Sequence, residues 1–281
     1  MGRRRAGVIL LVVGACLLSL SILGRWTALG RYESFPPRSW ERFDPALAES
    51  TPDLDSLYRA AEARASGPLR DMPPGEAMRI MHETVADRFT HGDRATYSPF
   101  SNWFLWTLGA VKRRYKDIQD PDALLRGGHS AMCGDVSYVL MRLAEKAGIR
   151  SRHVLLEGHI TMEAWHDGSW HAYDPDLEVV VRDDSGVVLG TDILVGRPDL
   201  IRRHYSGRGD STFVEQVVNI YTSEADNIYL EYPARNLFGP HGQRPGRLEQ
   251  AGRLAVWILP VCLIAAGGAL GAGWRNMRKH V

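Results

Sequence analysis

Two stretches of this 281-residue chain contain no charged residue, and they constrain everything between them. Ala6 to Gly24 (AGVILLVVGACLLSLSILG) and Leu254 to Trp274 (LAVWILPVCLIAAGGALGAGW) run for 19 and 21 residues. A helix crosses the hydrocarbon core of a bilayer in about 20 residues. Neither stretch has the polar face of a helix lying on a soluble core, so both read as transmembrane helices. The 229 residues between them suffice for one sizeable domain.

Arg3, Arg4 and Arg5 ahead of the first run also fit a secretory signal peptide with cleavage near Ala28 or Gly30. Val13-Gly14-Ala15-Cys16 resembles a lipoprotein processing site, but the apolar run continues through Leu23, which favours an uncleaved signal anchor. In the second run Gly267 and Gly271 have the four-residue spacing that lets helices approach closely, against small residues such as Gly14 or Ala15. The clusters Arg3-Arg4-Arg5 and Arg275, Arg278, Lys279 would both be cytoplasmic in a two-span hairpin, although Arg25, Arg31, Arg244, Arg247 and Arg253 dilute that bias. The expected organisation is a cytoplasmic tail at 1–5, a signal anchor at 6–24, a linker at 25–52, a domain at 53–252 with its core at 120–190, a second span at 254–274 and a cytoplasmic tail at 275–281. Residues 25–252 are accordingly placed outside the cytoplasm, on the cell membrane.

A net charge of +1 with 24% charged residues argues against a nucleic-acid partner, which favours a basic stripe. Helical spacing marks Leu54 to Ala65 and Glu76 to Phe89, the second with Ala77, Ile80, Met81, Thr84 and Val85 on one face. Tyr97 to Ile118 reads as a loop and then an aromatic-rich helix. Asp120-Pro121 opens a short helix that Gly127-Gly128 closes.

Cys133 is the only cysteine outside the two apolar runs. From it Val136, Leu140, Leu143, Ala144 and Ala147 follow helical spacing, and Gly148 supplies a left-handed stop. A cysteine in a first helical turn lies at the positive end of the helix dipole, which favours its thiolate, and the free N–H groups there can stabilise an oxyanion. A small buried hydrophobe is the plainer reading of a cysteine taken alone.

A histidine and an aspartate change the balance. Arg152 to Leu156 and Ile160 to Trp165 read as strands, Asp167-Gly168 as a two-residue hairpin loop, and Trp170 to Asp174 as the returning strand. With that loop, paired residue numbers sum to 335, which sets Asp174 opposite Thr161 and Asp176 opposite His159. His159 and Asp174 then share one sheet face as diagonal neighbours, and a slip of one residue would separate them. His171 falls on the other face, His166 is expected in solvent at the turn, and His129, four residues before Cys133, is the competing base. Neither a metal nor a cofactor is expected, because no second cysteine or paired-ligand spacing accompanies these residues. Cysteine, histidine and carboxylate in this order point to nucleophilic acyl transfer.

The pattern G-x-x-x-x-C-G, a helix, G-I-x-S-R, then H-x-x-x-E-A-W, D-G-x-W and D-P-D resembles the core of the transglutaminase-like superfamily over Gly127 to Asp176. The resemblance implies a papain-like fold with Cys133 as nucleophile, His159 as base and Asp174 as its orienting carboxylate. The 26-residue interval from Cys133 to His159 is shorter than is common in that superfamily, and the upstream glutamine of papain-like enzymes has no counterpart. Trp103 or Trp106 could supply an oxyanion donor, although core positions suit both better. Arg126-Gly127-Gly128 is faintly similar to arylamine acetyltransferases, but the D-P-D ending fits the first group better. The expectation is therefore an α+β, papain-like/transglutaminase-like core, a helix-start cysteine packed on an antiparallel sheet, flanked by two transmembrane helices. It would act on peptide or protein substrates through a thioester, at the lipid bilayer. The alternative is an inactive scaffold with partners in envelope or polysaccharide assembly.

Overall fold

The computed structural model describes residues 2–223, 227–231 and 246–277. In chain order the helices are α1 (Gly2–Trp26), α2 (Pro45–Ser50), α3 (Leu54–Ala65), α4 (Pro74–Arg88), α5 (Pro99–Gly109), α6 (Pro121–Gly127), α7 (Cys133–Lys146), α8 (Thr191–Leu194), α9 (Pro198–Tyr205), α10 (Ser211–Thr222) and α11 (Arg247–Met277). The strands are β1 (Thr90–His91), β2 (Ser130–Ala131), β3 (Ser151–Leu156), β4 (His159–His166), β5 (Ser169–Tyr173) and β6 (Ile228–Glu231). The architecture is mixed α and β with an apolar helix towards each end. Two compact units emerge, residues 1–32, 96–118 and 245–281 in one and residues 33–95 and 119–244 in the other. Residues 96–118 thus group with the apolar helices.

Within the first unit α1 and α11 are each long and apolar enough to cross a membrane. They run antiparallel. A Cβ placed on Gly7 would lie 3.0 Å from the Gly267 carbonyl, and one on Gly14 would lie 2.8 Å from the Pro260 carbonyl. Gly267 therefore packs on Gly7 and Leu11, while Gly14 meets Pro260 and Ile264; the pairing of Gly267 with Gly14 or Ala15 is corrected by about two turns of helix. Pro260 has no N–H to give to Val256, four residues earlier, and the Ser21 hydroxyl donates to that carbonyl at 3.0 Å instead. The indole N–H of Trp103 donates in turn to Ser21 Oγ at 3.1 Å. Of the basic residues weighed for orientation, Arg244, Arg278 and Lys279 lie outside the described residues.

The second unit is built on a four-stranded antiparallel sheet in the order β5-β4-β3-β6. The β4–β5 register follows the sum predicted from the loop, Met162 opposite Tyr173 and His166 opposite Ser169. Asp167 and Gly168 both have positive φ, 50° and 80°, as a tight hairpin turn requires. One face carries Met162, Ala164 and Tyr173 and is covered by α4 and α7: Gly134 abuts Ile160, the Ser137 hydroxyl donates to the Ile160 carbonyl, and the His82 ring lies beside Tyr173. The other face carries Val154, Leu156 and Ala172 against Leu194, Leu200, Tyr205, Val217 and Tyr221 from α8, α9 and α10.

Helix α7 is buried on nearly every side, and Gly148 at φ 78° follows its end. Helix α3 begins at a reciprocal cap between Asp53 and Ser56, and the apolar face expected for α4 is buried. Arg88 is enclosed at the end of α4, where its guanidinium donates to Thr51 Oγ1 and to the carbonyls of Leu125 and Gly128. It thereby satisfies the open carbonyls at the end of α6 and holds the turn that leads into Cys133.

Candidate functional site

Cys133 is the first residue of α7, 9% exposed, and no side chain caps that helix end. The N–H groups of Asp135 and Val136 both bond to the Met132 carbonyl, so intrahelical pairing begins only after Gly134. The N–H groups of Cys133 and Gly134 precede that ladder. Gly134 is closely packed: a Cβ there would come within 3.0 Å of Ile160 Cδ1.

His159 opens β4 opposite Leu156, beyond a turn in which Gly158 has a φ of 85°. Its Nε2 donates to Asp174 Oδ2 at 2.9 Å, and both groups are buried. The two residues do share a sheet face and meet. A carboxylate can only accept, so the proton sits on Nε2, and Nδ1 is the ring atom left for chemistry. A His159 ring nitrogen, Cys133 Sγ and an Asp176 carboxylate oxygen all lie within 4.8 Å of one another. Cysteine, histidine and aspartate therefore form a cluster at the start of α7.

Asp174 lies just past the β5 ladder and is fixed on every side. Its backbone bridges to Val179 in both directions, and its carbonyl also accepts from His82 Nε2 at 3.0 Å. Its Oδ1 accepts the Leu177 N–H at 3.1 Å, and its Oδ2 takes the Tyr205 hydroxyl at 2.8 Å besides His159. Tyr221 lies 2.8 Å from Tyr205, and because the Tyr205 proton is given to Asp174, Tyr221 donates in that pair.

The same bridge makes Asp176 part of the site. Residues between Asp174 and Val179 turn back, with Glu178 at φ 53° held by the Arg42 N–H and guanidinium. Asp176 is thereby swung under Cys133 and His159 and is buried there. His91 Nδ1 donates to both its oxygens, at 3.0 and 2.9 Å. β1 and β2 run parallel, with His91 beside Ala131, which places His91 two residues across from Cys133.

Charge and burial oppose each other within the His159–Asp174 pair. Burial disfavours the imidazolium, but the Asp174 charge and hydrogen bond, aided by Cys133, hold the His159 pKa well above its ordinary value. Burial likewise raises the Asp174 carboxyl, and the His159 charge, its hydrogen bond and those from Leu177 and Tyr205 bring it below the usual range. Burial and the nearby Asp174 charge push the Tyr205 phenol far up, so it remains a donor.

The other histidines are placed differently from one another. His129 stacks on Phe43 with ring centroids 4.5 Å apart and has Nδ1 3.4 Å from Thr90 Oγ1. His171 lies on the opposite face, as parity requires, with Nδ1 on the Val188 carbonyl and Nε2 on that of His166. His166 corrects the expectation of a solvated turn residue. It is the last residue of β4, buried between the His171 ring at 3.8 Å and Gly75 at the start of α4. His166, Asp167 and His171 also bring three potential ligand atoms within 4.8 Å of one another. Trp103 spends its donor on Ser21, and Trp106 is 46% exposed rather than in a core.

The pairing sum sets Asp176 opposite His159, but its approach to the sulfur comes from a turn that follows the ladder. His91, His82 and Tyr205 carry no local signal in the sequence, since each reaches the site from an element distant along the chain. No protein-family profile, no characterised protein and no solved structure matches this chain.

Proposed function

We propose that this protein is a membrane-anchored, transglutaminase-like cysteine enzyme that acts on peptide or amide bonds through a thioester. One observation carries the reading: His159 is held by Asp174 through Nε2 and has the Cys133 sulfur within 4.8 Å of a ring nitrogen. An imidazole fixed by a buried carboxylate and set against a helix-start sulfur is the arrangement that generates a thiolate nucleophile.

In this proposal the Cys133 thiolate attacks the carbonyl carbon of the substrate. The C=O π pair moves onto oxygen, where the first-turn N–H groups of α7 are the available donors. As the C–N bond breaks, His159 Nδ1–H protonates the departing amine and a thioester remains. His159, now neutral, takes a proton from the incoming water or amine, and the thiolate leaves. Asp174 keeps the ring in the tautomer both steps need. The α+β papain-like core is part of the same reading, supported by the helix α7 start, the antiparallel sheet and the order Cys133, His159, Asp174.

The test is chemical. Iodoacetamide should alkylate Cys133 at neutral pH far faster than a free thiol, and an electrophilic acyl probe should label the chain at Cys133 alone. Cys133→Ala should abolish that labelling while leaving the fold intact. Alkylation no faster than glutathione's, or full rescue of a deletion strain by Cys133→Ala, would rule the reading out in favour of an inactive scaffold.

A further inference from the structure

We propose that Cys133, His159 and Asp176 also form a three-ligand site for a thiophilic divalent metal ion of the zinc type, whose occupancy blocks the sulfur. The donor set is one thiolate sulfur, one imidazole nitrogen and one carboxylate oxygen, all within 4.8 Å of one another. Metal–sulfur bonds near 2.3 Å and metal–nitrogen or –oxygen bonds of 2.0–2.2 Å put tetrahedral donors about 3.4–3.6 Å apart. Donors no more than 4.8 Å apart need to close by at most about 1.4 Å to reach that spacing. Sulfur and imidazole select zinc, cobalt(II) or a similar ion over magnesium and calcium, which prefer oxygen alone.

The outer shell is already built. His159 Nε2 donates to Asp174, which fixes Nδ1 as the atom available to a metal. Asp176 is held from behind by His91 Nδ1. Two anionic ligands offset the charge of the ion, and three protein ligands leave one position open, as in exchangeable rather than closed sites. On binding, the thiolate–imidazolium pair loses the His159 Nδ1 proton to solvent, and the Cys133 sulfur and Nδ1 each form a bond to the ion. The ion then occupies both groups that acyl transfer would use, so metal binding and alkylation exclude one another.

The cluster of His166, Asp167 and His171 does not make a comparable site. Its two rings stack 3.8 Å apart with planes 10° from parallel, so their in-plane lone pairs run side by side instead of converging. Both nitrogens of His171 also face backbone carbonyls.

The experiment uses the full chain, reduced, stripped with a chelator and held in detergent. Cobalt(II) should produce a sulfur-to-metal charge-transfer band that saturates at one equivalent and is displaced by zinc. Zinc at one equivalent should suppress iodoacetamide alkylation of Cys133. Cys133→Ser should abolish the band, while a Cys16→Ser, Cys262→Ser double variant should keep it. Asp176→Asn should weaken zinc at least about tenfold, the lower end of what losing even an outer-shell partner costs. Absence of the band at one equivalent, or zinc affinity unchanged from the parent chain in Asp176→Asn and His159→Gln, overturns the site. Fast alkylation of the stripped chain without any cobalt band would overturn the metal site and leave the acyl chemistry standing.

Discussion

Tyr205 donates its hydroxyl to Asp174 Oδ2, the same oxygen that receives the Nε2–H of His159. The carboxylate is thus shared between the His159 ring and a buried phenol that Tyr221 supports from behind. Removing the phenol hydroxyl should leave Asp174 with one donor fewer on an enclosed charge. Tyr205→Phe should cost about 1.5–3 kcal/mol of stability, the range for a hydrogen bond to a charged group. Asp174 is depressed in the fold, so its contribution is present above about pH 3.8 and is lost as pH falls through the folded value. The variant lifts that folded value, so the acid limb of the thermal-stability profile should move to higher pH. An unchanged acid limb in Tyr205→Phe would show that the phenol does not tune the carboxylate.

Asp174→Asn probes the other side of the pair. An amide can present its N–H to His159 and select the wrong tautomer, so acyl transfer should fall by roughly 10²–10⁴-fold with the fold retained. Single-turnover acylation with the probe that labels Cys133 measures this. A loss below tenfold would mean that Asp174 holds the turn to Val179 and does little for the base.

Stability against pH follows from the histidines. His159 has its folded pKa raised above 6.5, so it binds more protons folded than unfolded at higher pH. Its contribution is complete below about pH 6.5 and declines as pH rises through the folded value. His153, buried and lowered to about 3, and His82, also lowered by burial, act in the opposite sense below pH 6.5, where charging them favours unfolding. Thermal melts of the detergent-solubilised chain should therefore peak near pH 6.5 and fall on either side. In Asp174→Asn the alkaline decline should disappear, because burial alone then acts on His159. A melt that keeps rising to pH 9 in the parent chain would contradict the assignment.

Ser21 stands in for the N–H that Pro260 lacks, and inside an apolar helix pair this substitution has no solvent to fall back on. Ser21→Ala should strand the Val256 carbonyl and the Trp103 indole N–H together, at about 1–3 kcal/mol for each unsatisfied group. Ser21→Ala combined with Pro260→Ala should recover the carbonyl's share, since the helix can then close its own bond. Detergent melts of the three variants distinguish this from a generic packing defect, for which the double variant would be no better than the single.

The register of β4 on β5 is legible in the sequence, because Asp167-Gly168 fixes the turn and a turn of known length fixes every pair beyond it. Cys133 at a helix start, His159 and Asp174 on one face, and the stop at Gly148 all follow from such local rules. Those rules lose force where the ladder ends. Asp174 leaves its partner strand to bridge Val179, and the resulting turn, not the strand parity, brings Asp176 to the sulfur. His166 escapes them for a related reason: it belongs to the strand rather than the loop, and Gly75 of α4 covers it from far upstream in the chain. Arg88, His91 and Tyr205 arrive through packing between distant elements, which no single-sequence periodicity records.

The antiparallel packing of α1 on α11 puts Gly7 and Gly267 at one end of the pair and Ser21 and Val256 at the other. The chain therefore leaves α1 and enters α11 at the same end of the pair. Arg3, Arg4 and Arg5 lie in the first turns of α1, at the opposite end, and basic residues flanking a span are retained in the cytoplasm. The domain carrying Cys133 should then lie outside the cytoplasm. Gly207 is exposed in the turn between α9 and α10, where a reporter can be joined while the glycine itself is kept. Alkaline phosphatase fused there should be active, and a fluorescent protein that matures only in the cytoplasm should stay dark. The reverse pattern would put the domain inside, where a reducing compartment would keep Cys133 free without any need for a protective or catalytic explanation.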